Sequence, residues 1–168
     1  MQSYTIRRTF LLPLGILLLQ ALFLFAIVIA QGQPRIKAIL LGILLVPVAG
    51  LFAESFFRRI AVATDRVTAF RPFRQKSLAF ADIVAADTIQ VKKRVFLTLS
   101  SEAEFLIISN AYADFPQLVR DLLDRLPPES ISDETRTMAE NVPIKSSDIV
   151  SCWFGVVLLA IVLVLQFV

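Results

Sequence analysis

Hydrophobic and polar positions follow two patterns along the chain. Toward both ends they form long apolar blocks, while between residues 58 and 126 they alternate over short stretches. Phe10 to Ala30 is a run of 21 residues broken only by Gln20. As a helix it is about 31 Å long at ~1.5 Å per residue, enough to cross a hydrocarbon core of ~30 Å. Ala38 to Ala53 holds 16 apolar or small residues, and Phe56 and Phe57 extend the block past Glu54. Ile149 to Val168 is a third block of 20. Three transmembrane helices are predicted. The first block shares features with a secretory signal: Arg7 and Arg8 precede it, and Val28-Ile29-Ala30 ends it. A signal core is usually ~7–15 residues, however, and the short 31–37 turn leads straight into the next block. Retention as one arm of a helical hairpin is the expectation.

In the middle of the chain, Ile60, Val62 and Thr64 alternate with small residues, and Thr64-Asp65-Arg66 reads as a turn into a second strand, Val67 to Arg71. Pro72-Phe73-Arg74-Gln75 is a further turn, with strands expected over 76–80, 83–91, 95–100 and 104–109. Then the period changes. Phe115, Leu118, Val119, Leu122, Leu123 and Leu126 form the stripe of a helix with one apolar face. Asp114 is the expected N-cap, and Pro127-Pro128 stops the helix. Residues 127–148 are polar and read as a linker in which Ser132-Asp133-Glu134 can start a turn or two of helix up to Glu140.

Several short antiparallel strands closed by one amphipathic helix is the element order of a pleckstrin-homology-like (PH-like) barrel. Thr64-Asp65-Arg66-Val67, Leu78-Ala79-Phe80-Ala81-Asp82-Ile83 and Ile107-Ile108-Ser109-Asn110 with Asp114-Phe115-Pro116 resemble segments of the bacterial PH-like domains of small membrane proteins. The resemblance covers roughly residues 56–126. It departs from the family in having no glycine in the turns, notably where Phe73 stands, and in its third, C-terminal span. The expected fold is therefore a membrane protein of class α+β. Residues 1–57 form a tail and two-helix hairpin, 58–126 a cytoplasmic PH-like antiparallel β-barrel capped by a helix, 127–148 a linker and 149–168 the last span.

Composition narrows the chemistry. Of 168 residues, 57% are hydrophobic and 18% charged, against about 45–50% and 25% in soluble domains. With no histidine and one cysteine, Cys152, neither a Ser-His-Asp triad nor a histidine zinc site can be assembled, and no disulfide closes within the chain. All five glycines, at 15, 32, 42, 50 and 155, lie in the apolar blocks or their turn, so the middle region has no phosphate-binding glycine loop. The acid pairs Asp82/Asp87 and Asp121/Asp124 read as solvated surface charge. The expectation is a protein that is not an enzyme and carries no cofactor or metal.

Charge distribution says more. Near the ends of the apolar blocks, ten Lys/Arg fall on the side of the N-terminus and the middle region, and two fall in the 31–37 turn. The excess marks the cytoplasmic side, placing the C-terminus outside. Residues 54–94 carry a net charge of +5 and residues 95–148 a net of −6. Arg58, Arg59, Arg71, Arg74, Lys76, Lys92, Lys93 and Arg94 thus form the candidate surface for anionic lipid headgroups or a partner, each near-surface charge being worth about 1 kcal/mol. Lipids and another membrane or cytoplasmic protein are the expected partners, and nucleic acid is not. Within the spans, Gln20, Gly42, Ala49 and Ala53 are the candidate helix-packing residues, Gln20 by hydrogen bonding to a neighbour, although ordinary membrane-helix composition is the simpler account of the glycine and alanines. The implied function is binding and scaffolding at the bacterial inner membrane, within a larger complex. The alternative is an accessory or regulatory subunit of a transporter or channel.

Overall fold

The computed structural model describes residues 2–142 and 146–167. Pro143 and Lys145, which entered the linker and orientation readings, and Val168, the end of the third block, lie outside the described residues. In chain order the elements are β1 (Gln2–Thr5), α1 (Arg8–Ala30), α2 (Arg35–Phe57), β2 (Arg59–Val62), β3 (Arg66–Arg71), β4 (Arg74–Ala79), β5 (Ile83–Val91), β6 (Arg94–Ser101), β7 (Phe105–Ser109), α3 (Phe115–Leu123), α4 (Asp133–Glu140) and α5 (Ser147–Leu165). They make two compact units, one of Arg8–Phe56 with Ser146–Val168, the other of Met1–Arg7 with Phe57–Lys145.

The first unit holds α1, α2 and α5, of 23, 23 and 19 residues, each long and apolar enough to cross a membrane. α5 lies closely on α1 because position 155 is glycine: a Cβ there would stand 2.7 Å from Leu17 Cδ1. α2 buries none of its residues. It meets α1 where Phe52 approaches Gly15 and Phe25 approaches Gly42, 3.2 and 3.7 Å from where a Cβ would be. Beyond the helices, Gln33 Nε2 donates to Gln166 Oε1 at 3.1 Å.

The second unit is built from two antiparallel sheets in meander order, β1-β2-β3-β4 and β5-β6-β7. The alternating strands bury one face each. Ile60, Val62, Val67, Val95, Leu97, Leu99 and Ile108 are almost wholly excluded from solvent. α3 adds Phe115, Leu118, Val119 and Leu122, the expected stripe. The helix ends earlier than its stripe, at Leu123, although Leu126 remains buried. Asp114 precedes it in the left-handed conformation (φ 50°) and makes no side-chain cap, so the expected N-cap role is not realised.

Two expected boundaries change. The tail before the hairpin belongs to the sheet: β1 pairs with β2, with Ser3 opposite Ala61 and Thr5 opposite Arg59. Tyr4 and Ile6 are buried there, at 8% and 4% exposure. The domain is therefore interrupted by the hairpin and does not begin at residue 58. The segment after α3 is likewise more than a linker. Ile131 bridges to Ala86 of β5, and the Ser132 side chain accepts from Thr135 N to cap α4. The Thr135 hydroxyl donates to Ala86 O at 3.0 Å and lies 2.9 Å from Thr88 Oγ1, and Met138 is buried. Residues 127–142 dock because α4 has hydroxyls that satisfy the β5 backbone and one large apolar side chain to bury.

Candidate functional site

Strand register decides which basic residues come together. Thr5, Arg59, Phe70 and Gln75 stand opposite one another in a single row across β1, β2, β3 and β4. Beyond that row, β1 continues through Ile6 and Arg7 toward α1, and β2 is entered from Phe57 and Arg58. The same end of the sheet carries the two-residue Pro72-Phe73 turn, with Arg71 opposite Arg74 at its base. Arg58, Arg59, Arg71 and Arg74 are thus gathered at one end of the four-stranded sheet. It is the end through which the chain leaves for the hairpin and returns.

The β5–β6 turn is tied to that region by the segment after β7. Asn110 Nδ2 donates to Lys93 O at 2.9 Å, and Asn110 N donates to Val95 O at 3.0 Å. Three residues on, Ala113 N donates to Thr5 O at 2.8 Å, while Arg7 N donates to Ala111 O at 3.3 Å. Lys92, Lys93 and Arg94 are exposed around this turn, and Lys92 adopts a left-handed φ of 56° without being glycine. Such a conformation costs roughly 1–2 kcal/mol in a residue with a Cβ.

Aromatic rings hold several of these cations. The Arg59 guanidinium lies 4.4 Å from the Phe70 ring centre, and that of Arg58 lies 5.9 Å from the ring centre of Tyr112. Cation–ring contacts are worth about 0.5–1 kcal/mol at exposed sites. Lys76 has a carboxylate beside it. Its ammonium sits 3.6 Å from Glu104 Oε2 and 4.9 Å from the Phe105 ring centre, so its charge is balanced locally. Between β4 and β7 runs an open groove of about 640 Å³, lined by Arg71, Arg74, Gln75, Ser77, Glu104 and Ile107 among others.

Of the acid pairs, Asp82 and Asp87 are exposed on either side of the start of β5, and Asp124 is exposed at the end of α3. Asp121 is not solvated surface charge, as its place in the sequence suggested. It is buried at 9% exposure, accepting from the Tyr4 hydroxyl and from Gln117 Nε2 at 2.9 Å. β1 covers this position on α3, which is why helical periodicity alone misplaces it. Burial first, then the bond to Asp121 and its negative charge, push the Tyr4 hydroxyl pKa up to about 12.

The helix-packing candidates divide. Gly42 faces Phe25, and Gln20 has its Oε1 buried with no hydrogen-bond partner among the described residues. Ala49 and Ala53 are half-buried. The glycine that matters most for close approach, Gly155, lay outside the predicted seam. Alternation also concealed the outer face of the three-stranded sheet, where Ile89, Val91, Phe105 and Ile107 are exposed at 59%, 55%, 58% and 42%.

No family model, no curated protein and no solved structure matches this chain.

Proposed function

We propose that the protein is a non-enzymatic, membrane-anchored binding protein. Its extramembrane domain is a PH-like unit that holds anionic lipid headgroups at the cytoplasmic face of a bacterial inner membrane. The observation that carries the reading is the cross-strand row Thr5–Arg59–Phe70–Gln75, which brings Arg58, Arg59, Arg71 and Arg74 to the end of the sheet where both arms of the hairpin attach. Because β1 and β2 are neighbours in one sheet, both arms return to the same side, as the Lys/Arg distribution also requires. Near a bilayer carrying anionic lipid, each such charge contributes about 1 kcal/mol.

The test uses a soluble form of the domain in which a short turn replaces residues 8–56 and the chain stops after residue 142. It should float with liposomes containing phosphatidylglycerol and not with neutral ones. The attraction should fade between 0.1 M and 1 M salt, as the Debye length shrinks from about 10 Å to about 3 Å. Replacing Arg59, Arg71 and Arg74 together with Gln should weaken binding strongly. A domain that ignores anionic liposomes at low salt refutes the reading. Scaffolding of a protein partner is a second role, favoured by the exposed apolar strip of Ile89, Val91, Phe105 and Ile107.

A further inference from the structure

The β3–β4 turn consists of Pro72 and Phe73, and Phe73 is fully exposed, at 101% of the reference value. Tight turns favour glycine, asparagine and aspartate, whose backbones or short polar side chains suit them. A phenyl ring brings neither property. Held in water, it forgoes the stabilisation that burial of such a side chain yields. Arg71 and Arg74 face each other at its base.

The register sets its level. Counting outward from the Thr5–Arg59–Phe70–Gln75 row, β2 is preceded by Arg58 and then Phe57, the last residue of α2. β3 proceeds through Arg71 to the Pro72-Phe73 apex. Phe57 precedes Arg59 by two residues and the Pro72-Phe73 apex lies past Phe70 and Gln75, so both come at the same end of the sheet, outside the row. Phe57 is 59% exposed at the junction with an apolar helix. Aromatic rings concentrate at the headgroup level of a bilayer, and arginine keeps its charge at the surface while its stem lies along apolar material.

We propose that Phe73 is a membrane wedge: its ring enters the boundary between headgroups and acyl chains, while Arg71 and Arg74 engage lipid phosphates on either side. The inference rests on the lipid-facing reading of the basic end and adds to it an apolar contact that salt does not screen.

The full-length protein tests it, with Trp153, the only tryptophan, replaced by Phe. In this background Phe73→Trp is compared with Thr64→Trp, an exposed position in the turn at the opposite end of the same strands. Both variants are reconstituted into vesicles of phosphatidylcholine with or without phosphatidylglycerol, using lipids brominated near the top of the acyl chain. The indole of Phe73→Trp should emit at shorter wavelength than that of Thr64→Trp. It should lose intensity to brominated lipid, resist aqueous iodide, and keep both properties at 1 M salt. Equal access of iodide to both indoles, with no effect of brominated lipid, overturns the wedge. If that result accompanies salt-sensitive binding of the soluble domain to anionic liposomes, the headgroup reading survives alone. Quenching by brominated lipid in both neutral and anionic vesicles supports the wedge, whose apolar contact does not depend on net headgroup charge.

Discussion

Tyr4→Phe removes one oxygen atom and tests whether β1 is an energetic part of the domain. In the folded chain the Tyr4 hydroxyl donates to the Asp121 carboxylate, whose other side-chain donor is Gln117 Nε2 at 2.9 Å. Both Tyr4 and Asp121 are more than nine-tenths buried. The phenyl ring stays, so packing changes little and the loss is that of a hydrogen bond to a charged group. That loss is about 1.5–3 kcal/mol, within a total stability of roughly 5–15 kcal/mol for a domain. The pH dependence is a second signature. The hydroxyl pKa rises from 10.0 to about 12 on folding, so the folded chain keeps a proton that the unfolded chain releases above pH 10. The stabilisation is therefore complete below pH 10, declines as pH rises to 12, and is absent above. A shift of that size corresponds to roughly 1–3 kcal/mol. Urea unfolding followed by far-UV circular dichroism, on the soluble domain from pH 7 to 12, measures both effects. Tyr4→Phe should be less stable at pH 7 and should lack this decline. Equal stability at pH 7, or parallel curves between pH 10 and 12, would refute the reasoning.

Leu122→Asp should unfold the domain, because Leu122 has no exposed surface and an unpaired carboxylate in its place costs several kcal/mol; an unchanged melting temperature would contradict this. Thr135→Val should cost about 1 kcal/mol by removing the hydroxyl that bonds Ala86 O and Thr88 Oγ1, leaving Ser132 N and Oγ as donors to Ala86 O, and limited proteolysis should then cut residues 127–142 faster. Alkaline phosphatase fused at the C-terminus should be active and a fusion after Pro128 inactive; the reverse pattern would invert the orientation.

The sequence revealed these parts of the fold unequally, for physical reasons. The three apolar helices announce themselves because each carries its own signal, a block of about 20 apolar residues. The same holds for β5, expected over 83–91 and found at Ile83–Val91, and for the stripe of α3, since alternation and helical period are local properties. β1 is local in neither sense. It has four residues, and its partner lies more than fifty positions away, so its pairing depends on the hairpin bringing residues 5 and 59 together. Asp121 was misread for the same reason, because what buries it is β1. Docking of 127–142 was hidden by its chemistry: α4 attaches chiefly through Thr135 and Met138, which leave no apolar stripe in the sequence. The basic residues of the candidate site were visible as a cluster in sequence. Which of them share a sheet end, and that Lys76 is balanced by Glu104, required the register and the pairing.

A sheet whose first two strands are separated by an apolar helical hairpin couples two assembly events. During synthesis β1 is made before α1, yet its partner β2 appears only after α2 is complete. With the helices in a bilayer, pairing of Thr5 with Arg59 requires the chain to have crossed and come back. A chain in which only one arm inserts leaves β1 on the wrong side, the Tyr4–Asp121 bond unmade and the α3 carboxylate without that donor. Such a chain exposes the edge of β2 and the apolar surface that Tyr4 and Ile6 would cover, features that quality-control proteases and chaperones act upon. Were the hairpin in a bilayer with one arm across, the sheet could not close.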